Sequence, residues 1–252
     1  MPSLDTISPG AFAVVSLLSA LGVSREMHYT GESTPGPIVL PRTAMTRGPL
    51  NPNRVLGVPV LYRLLGTMLG RTRQWRIFAR HYVGARPGDR ILDVGCGPAD
   101  VMAELPTGID YVGFDQSEHY IDSARRRHGA RGQFFAGTVD LALVDRLGAA
   151  SFDIVIAHGL LHHLDDRDAT EFFALARAAL RPGGRLVTAD GCYLVGQSRI
   201  ARLLLNMDRG RHVRTEEEYV ALASQSFAVP SAFVRHDSAY VPYTTVYLVC
   251  QA

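Results

Sequence analysis

Leu92-Asp93-Val94-Gly95-Cys96-Gly97-Pro98-Ala99-Asp100 is the stretch that decides how this chain reads. Arg90 to Val94 (RILDV) has the character of a short buried strand, and it runs straight into glycines. Glycine after a strand lets the backbone turn tightly and approach a ligand closely. Asp110 to Asp115 (DYVGFD) reads as a second strand. It ends in an acid about 20 residues after Gly95, where a carboxylate can take both ribose hydroxyls of a nucleotide-like cofactor. A lone G-x-G is a weak signal. Strand, D-x-G-x-G, helix, strand and acid in that order is a strong one.

Outward from this stretch, short apolar strands alternate with amphipathic helices. Ser117 is placed to cap a helix whose end, Arg125-Arg126-Arg127, complements the negative end of the helix dipole. Gln133 to Ala136 reads as a third strand and Phe152 to Ala157 (FDIVIA) as a fourth. From about Asp166, Ala169, Phe172, Phe173, Ala176 and Leu180 share one helical face, which Arg181-Pro182-Gly183-Gly184 terminates as a stop and turn. Arg185 to Ala189 is a fifth strand. Thr215-Glu216-Glu217-Glu218 is a capping box that opens a further helix. Ala232 to His236 and Thr244 to Val249 then read as strands joined by a short turn at Tyr240-Val241-Pro242. That connection is too short for a parallel crossover, so the pair is antiparallel. The expected fold is α/β, a Rossmann-like doubly wound seven-stranded sheet, mostly parallel with an antiparallel C-terminal hairpin.

Upstream the pattern differs. Thr30 to Pro59 is dense in Pro and Gly, which prevents a long helix or a central strand. Residues 1–56 therefore read as a loosely ordered arm. A lid over a pocket is the functional alternative, and Met45 as the natural start is a third reading. Leu61, Leu64, Leu65 and Met68, then Trp75, Phe78, Ala79 and Tyr82, recur at helical spacing until Gly88-Asp89. Residues 57–252 thus form the main domain, N-terminal helices included.

At 252 residues, 47% apolar and 20% charged, the chain can bury a sizeable core, which excludes wholesale disorder. The formal net charge is +2, and every one of the 26 basic residues is Arg. With no Lys at all, a Schiff-base enzyme is excluded. The arginines are dispersed, unlike a nucleic-acid-binding block. Cys96, Cys192 and Cys250 show no metal-ligand spacing and suit a reducing cytosol. The apolar run Ala11 to Leu21 is too short to span a bilayer, and only Asp5, no Arg, precedes it. A cytoplasmic location with no membrane partner is the expectation.

The cofactor class follows from charge. A dinucleotide fingerprint wants a third glycine where Asp100 stands. Pyrophosphate would also face Asp93 and Asp100, a repulsion on the order of several kcal/mol in a dry site. Asp93 would instead welcome an ammonium or sulfonium group, and S-adenosylmethionine carries both. LDVGCGPAD, FDQSEHYIDSARRR, FDIVIAHGLLHHLDD and LRPGGRL together resemble the class I S-adenosylmethionine-dependent methyltransferases over about residues 72–250. The family's seven-stranded sheet with a reversed final hairpin agrees with the strand reading. The resemblance implies that Gly95, Cys96 (through its backbone) and Gly97 line S-adenosylmethionine. It implies that Asp93 orients the methionine end, Asp115 binds the ribose and Gln116 lies beside the adenine. The family's glycine-acid pair after the third strand is Gly137-Thr138-Val139 here. Thr138, Val139 or a backbone carbonyl then substitutes at the adenine, with Asp140 a weaker candidate. Ala99 replaces the third loop glycine, and His158 contacts the methionine part.

Methyl transfer needs proximity, alignment and sometimes a base. His163 is the first candidate and His162 the second, because Leu161-His162-His163-Leu164 follows the fourth strand at the sheet edge where α/β folds bind ligands. The same turn also occurs where such histidines are structural. A metal held by His162, His163, Asp165 and Asp166 is disfavoured, since adjacent histidines on a turn point apart. An insertion at about 191–214 is expected to cover the acceptor site, with Arg209, Arg211 and Arg214 as cationic candidates. The expected acceptor is a small molecule, with the attacking atom and the oligomeric state left open. The alternatives are a methyltransferase-like binding protein, one that uses the sulfonium for another reaction, or a nucleic-acid methyltransferase. Ala157-His158-Gly159-Leu160 lacks the [DN]-P-P-[YF] turn of nucleic-acid amine methylases, so no nucleic-acid partner is expected.

Overall fold

The computed structural model describes residues 70–207 and 210–252. The arm at 1–56, the pattern Leu61–Met68, and Asp208 and Arg209 lie outside the described residues. Helix α1 (Arg71–Ile77) widens into a π-helical segment, Phe78–Val83, and ends at Gly84 with φ of 56°. The helix therefore stops four residues before the Gly88 break expected from the sequence. Glycine at Gly84 takes the left-handed conformation that closes the last wide turn, and its N–H bonds the Ala79 carbonyl at 2.8 Å.

The strands and helices then alternate. They are β1 (Arg90–Val94), β2 (Asp110–Asp115), α2 (Glu118–His128), β3 (Gln133–Ala136), α3 (Leu141–Gly148) and β4 (Phe152–His158). Helix α4 (Asp166–Ala179), β5 (Leu180–Tyr193), α5 (Arg199–Met207), β6 (Arg214–Thr215), α6 (Glu216–Ala223), β7 (Ser231–Arg235) and β8 (Thr245–Gln251) follow. The strand order is β3-β2-β1-β4-β5-β8-β7, and β6 pairs off the end of β5. β1 pairs in parallel with both β2 and β4, so the chain order reverses across β1. Ligands bind at such a switch point, outside the carboxyl ends of the strands. β8 runs antiparallel to β5 and to β7, as the hairpin reading requires.

Three further details differ from the sequence expectation. The sheet gains an eighth, two-residue strand, β6, because Arg214-Thr215 lies beside Cys192-Tyr193. β5 runs from Leu180 to Tyr193, longer than Arg185–Ala189. It is extended by pairing with β8 as far as Gly191, while Arg181–Gly184 loops out between the Phe152 and Ile154 pairings. Helices α3 and α5 escaped the reading. Their caps are Asp140, which accepts the Leu143 N–H at 2.7 Å, and Ser198, which accepts the Ala201 N–H at 3.1 Å.

Each sheet face carries its own core. One holds Val155, Ala157, Leu161, Phe172 and Phe173 under α4 and α6. The other holds Phe78, Ile91, Met102, Ile121 and Ile156 under α1, the π segment and α2. A fully buried Phe or Leu contributes roughly 1.5–3 kcal/mol, so strands buried on both faces read as continuous apolar runs. The predicted face of α4 is the buried one: Ala169, Phe172, Phe173 and Ala176 are all fully covered.

Candidate active site

The glycine loop leaves β1 with left-handed backbone at Gly95 (φ 77°) and Gly97 (φ 54°). Ala99 also sits there, at φ 55°, so the alanine keeps the conformation that the missing third glycine would favour. A Cβ on Gly97 would meet nothing within 4 Å, so open space lies beside that backbone. Asp115 braces the loop. One of its oxygens accepts the Gly97 N–H at 2.9 Å and the other accepts the Ser117 N–H at 2.8 Å. Each oxygen keeps a second lone pair for a hydroxyl. Burial raises the Asp115 carboxyl above its ordinary range, partly offset by the Ser117 and Gly97 N–H groups.

Asp93 lies beneath, 4% exposed. Its only hydrogen bond among those recorded for the described residues comes from the hydroxyl of Tyr111, on β2. Desolvation pushes its carboxyl up to about 7, against the pull of the Tyr111 hydroxyl and with help from the charge of Asp115. Tyr111 was absent from the sequence reading. The register Ile91↔Tyr111 places it on the Asp93 face, and that pairing becomes visible only once β1 and β2 are aligned. Cys96 is buried, and burial drives its thiol far above the usual range, so its sulfur is inert.

His158 ends β4 two residues beyond Ile156, the partner of Asp93, and so shares its face of the sheet. The Trp75 ring from α1 packs on His158 at 4.1 Å between centroids, and Phe78 meets it edge-on at 5.1 Å. Gln116 and Thr138 are half-buried at the same edge. The Val139 side chain lies in the core against the opposite sheet face, which leaves only its backbone for a ligand. Asp140 caps α3, which accounts for one of its oxygens.

On the other face, His162 is 5% exposed and its Nδ1 lies 2.8 Å from an oxygen of Asp190 on β5. That oxygen also accepts the His162 backbone N–H at 3.2 Å. The second Asp190 oxygen is buried with no hydrogen-bond partner among the described residues. The segment after α5 lies against this histidine: the His212 N–H donates to the His162 carbonyl at 3.0 Å, and a Cβ on Gly210 would run into the ring. His163 is half-buried, its ring 4.2 Å from that of His162. Among the cationic candidates, Arg211 is exposed and Arg214 is buried. Arg214 forks onto the carbonyls of Leu161, Leu164 and His212 and onto Asp166. It is a clamp, occupied from all sides, and not a free grip on an acceptor. Asp165 caps α4. No cluster of three or more His, Cys, Asp or Glu suited to a metal occurs among the described residues.

A family model described as a methyltransferase domain matches residues 92–186, from β1 into β5. The chain is 40% identical over 111 residues to the O-methyltransferase rstn1 of Aspergillus nomiae, a match covering 41% of this chain and 47% of that protein. It is 36% identical over 113 residues to the 27-O-demethylrifamycin SV methyltransferase of Amycolatopsis mediterranei, covering 42% of this chain and 39% of that one.

Residues 92–186 match a methyltransferase domain.

The match spans under half the length of these two relatives. The methyltransferase fold is also that of geranyl diphosphate methyltransferase solved with GPP and sinefungin, at 16% identity and a TM-score of 0.56. That likeness covers 71% of this chain and 78% of that one. The family's cofactor is S-adenosylmethionine, and this methyltransferase domain fits it: space beside Gly97, a buried carboxyl at Asp93 for a cation, and spare lone pairs on Asp115. No described helix is long and apolar enough to cross a membrane.

Proposed function

We propose that this chain transfers a methyl group from S-adenosylmethionine to a small-molecule acceptor, in the cytoplasm and without a nucleic-acid partner. One observation carries the reading: Asp115 closes the glycine loop through Gly97 at the switch point, beside the buried carboxyl of Asp93. In this reading Asp115 accepts the ribose hydroxyls and Asp93 pairs with the ammonium of the methionine part. Gly95, Cys96 and Gly97 present backbone, and Gln116 and Thr138 flank the adenine. When bound, the cofactor supplies an electrophilic methyl on sulfur, and the chain aligns the acceptor against it and excludes water.

For the base, the Asp190 contact favours His162 over His163, reversing the order suggested by sequence alone. A carboxylate on Nδ1 fixes the tautomer with the proton on Nδ1, which makes Nε2 the basic nitrogen of the ring. The segment at Gly210–His212 covers this histidine, as an acceptor cover in the 191–214 region would.

Incubation with methyl-labelled S-adenosylmethionine and a metabolite extract of cells tests the activity. Label entering a small molecule supports it. Label entering only RNA or DNA, or tight cofactor binding with no labelled product, overturns it. His162→Ala is expected to lower turnover at least about tenfold with cofactor affinity unchanged. An equal loss in His163→Ala alone would return the role to His163.

A further inference from the structure

The sequence order calls for a helix after the glycine loop, but the structure has only the four-residue 3-10 turn Asp100–Ala103. So short a run fixes little of the loop before it. The loop also holds a costly conformation. Ala99 is left-handed at φ 55°, a region that disfavours any residue with a Cβ. Such a turn persists only where its surroundings over-determine it. The surroundings here are arginines from the end of α2. Arg127 Nη1 donates to the Pro98 carbonyl at 3.1 Å and to the Asp100 carboxylate at 2.5 Å. One guanidinium therefore bridges the two residues that flank Ala99. Arg131 holds the carbonyls of Met102, Leu105 and Pro106 just beyond. The neighbours of Arg127 do otherwise: Arg125 bonds the Phe134 carbonyl, and Arg126 is exposed. Just ahead of α2, Asp115 takes the Gly97 N–H. The loop is thus gripped on both sides of Pro98.

We infer that Arg127 is a positioning residue for the cofactor: it pins the left-handed turn at Ala99 and holds the glycine loop in its binding shape before the cofactor arrives. The inference rests on the cofactor reading above. A loop already ordered loses little freedom on binding, so affinity is gained without any contact between Arg127 and the ligand. The dipole of α2 is served by any arginine of the run, whereas among the described residues Arg127 is the one that spans Pro98 and Asp100.

Calorimetry with S-adenosylhomocysteine tests this role. Arg127→Ala is expected to bind about fivefold more weakly, while Arg126→Ala, which removes the same charge from the same helix end, binds as the unaltered protein does. The diagnostic arm is Ala99→Gly in the Arg127→Ala background. Glycine adopts left-handed backbone without a steric penalty, so this second change should restore affinity to within about twofold. An ion pair that serves only the fold would not be rescued by a glycine. Unchanged affinity in Arg127→Ala, an equal loss in Arg126→Ala, or no recovery to that level with Ala99→Gly overturns the inference. Should Arg127→Ala not fold, Asp100→Asn loosens the other end of the bridge. It should show a similar loss that Ala99→Gly again repairs, and full affinity in Asp100→Asn overturns the inference. Asp115→Ala should weaken binding whatever Arg127 does, and if it does not, the cofactor reading itself fails and the inference with it.

Discussion

Asp93 is a carboxyl group with almost no access to water, held by one tyrosine hydroxyl and facing a second carboxylate. Its carboxyl titrates near 7 in the folded chain, against 3.8 for an ordinary aspartate. The folded state therefore holds a proton that the unfolded chain has lost, and stability falls as pH rises from about 4 through about 7. Asp93→Asn cannot ionise, so in urea titrations at about pH 8 it should be more stable than wild type, on the order of 4 kcal/mol, with the gap closing by about pH 4. A pH-independent gap would show that Asp93 keeps its charge at no cost. In the proposed complex the sign reverses, because an ammonium beside Asp93 would favour the ionised form. Affinity for S-adenosylhomocysteine should rise between about pH 6 and about pH 8, with proton release on binding. Calorimetry in two buffers of different ionisation enthalpy measures that release. Tyr111→Phe removes the one hydrogen bond that opposes the shift, so it should move the transition to higher pH.

At the scale of elements, the turn after β4 is fixed by what packs on it from far along the chain. Arg214 satisfies three carbonyls of that turn and its cover, and ties both to the first turn of α4. Its side chain is 6% exposed while that of Asp166 is 82% exposed, so the buried carbonyls carry more of its worth than the ion pair. Arg214→Ala should cost about 3 kcal/mol in chemical denaturation. Arg214→Lys should recover less than half of that, because an ammonium cannot reproduce a planar fork. Gly210 is the second contact. Any side chain there meets a His162 ring that Asp190 holds in place, so the backbone must retreat and the His212-to-His162 hydrogen bond is strained or lost. Gly210→Ala should cost about 1–3 kcal/mol. Amide exchange at His212 should speed up well before that of β4, and unchanged exchange would show that the segment yields without consequence.

Local rules made several of these elements legible. Thr215 accepts the Glu218 N–H at 3.3 Å and Glu218 returns to the Thr215 N–H at 2.8 Å, the reciprocal pair that the sequence spells out. Helix α5 is equally spelled, by Ser198 before a run of Leu and Arg. Its buried side carries Ala201 and Leu205, the latter against Gly191 of β5, so the apolar stripe is narrow.

At the scale of the whole molecule, the reversal of strand order across β1 gathers residues from four separate stretches of chain at one edge. Asp93, Asp115 and His158 come from three different strand ends, while Trp75 arrives from a helix that precedes them all. Ligand binding should therefore be felt globally. S-adenosylhomocysteine at 100 times its dissociation constant is expected to stabilise the fold by about 2.7 kcal/mol, read as a rise in melting temperature that Asp115→Ala removes. The hollow lined by Thr107–Tyr111 and Gly129–Gln133 lies at the opposite, amino end of β2 and β3, and none of the candidate residues except Tyr111 reaches it.

By itself the sequence determined the strand-and-helix alternation, the glycine loop and the acid at Asp115. Each is a matter of local spacing: periodicity, capping and the few residues that tolerate left-handed backbone. The tertiary structure alone decided that His162 meets Asp190, that Arg214 is a buried clamp, that Tyr111 touches Asp93 and that Trp75 covers His158. Those facts depend on strand register and on helix packing across the sheet. Such pairings join residues tens of positions apart, and only the folded core brings them within hydrogen-bond distance.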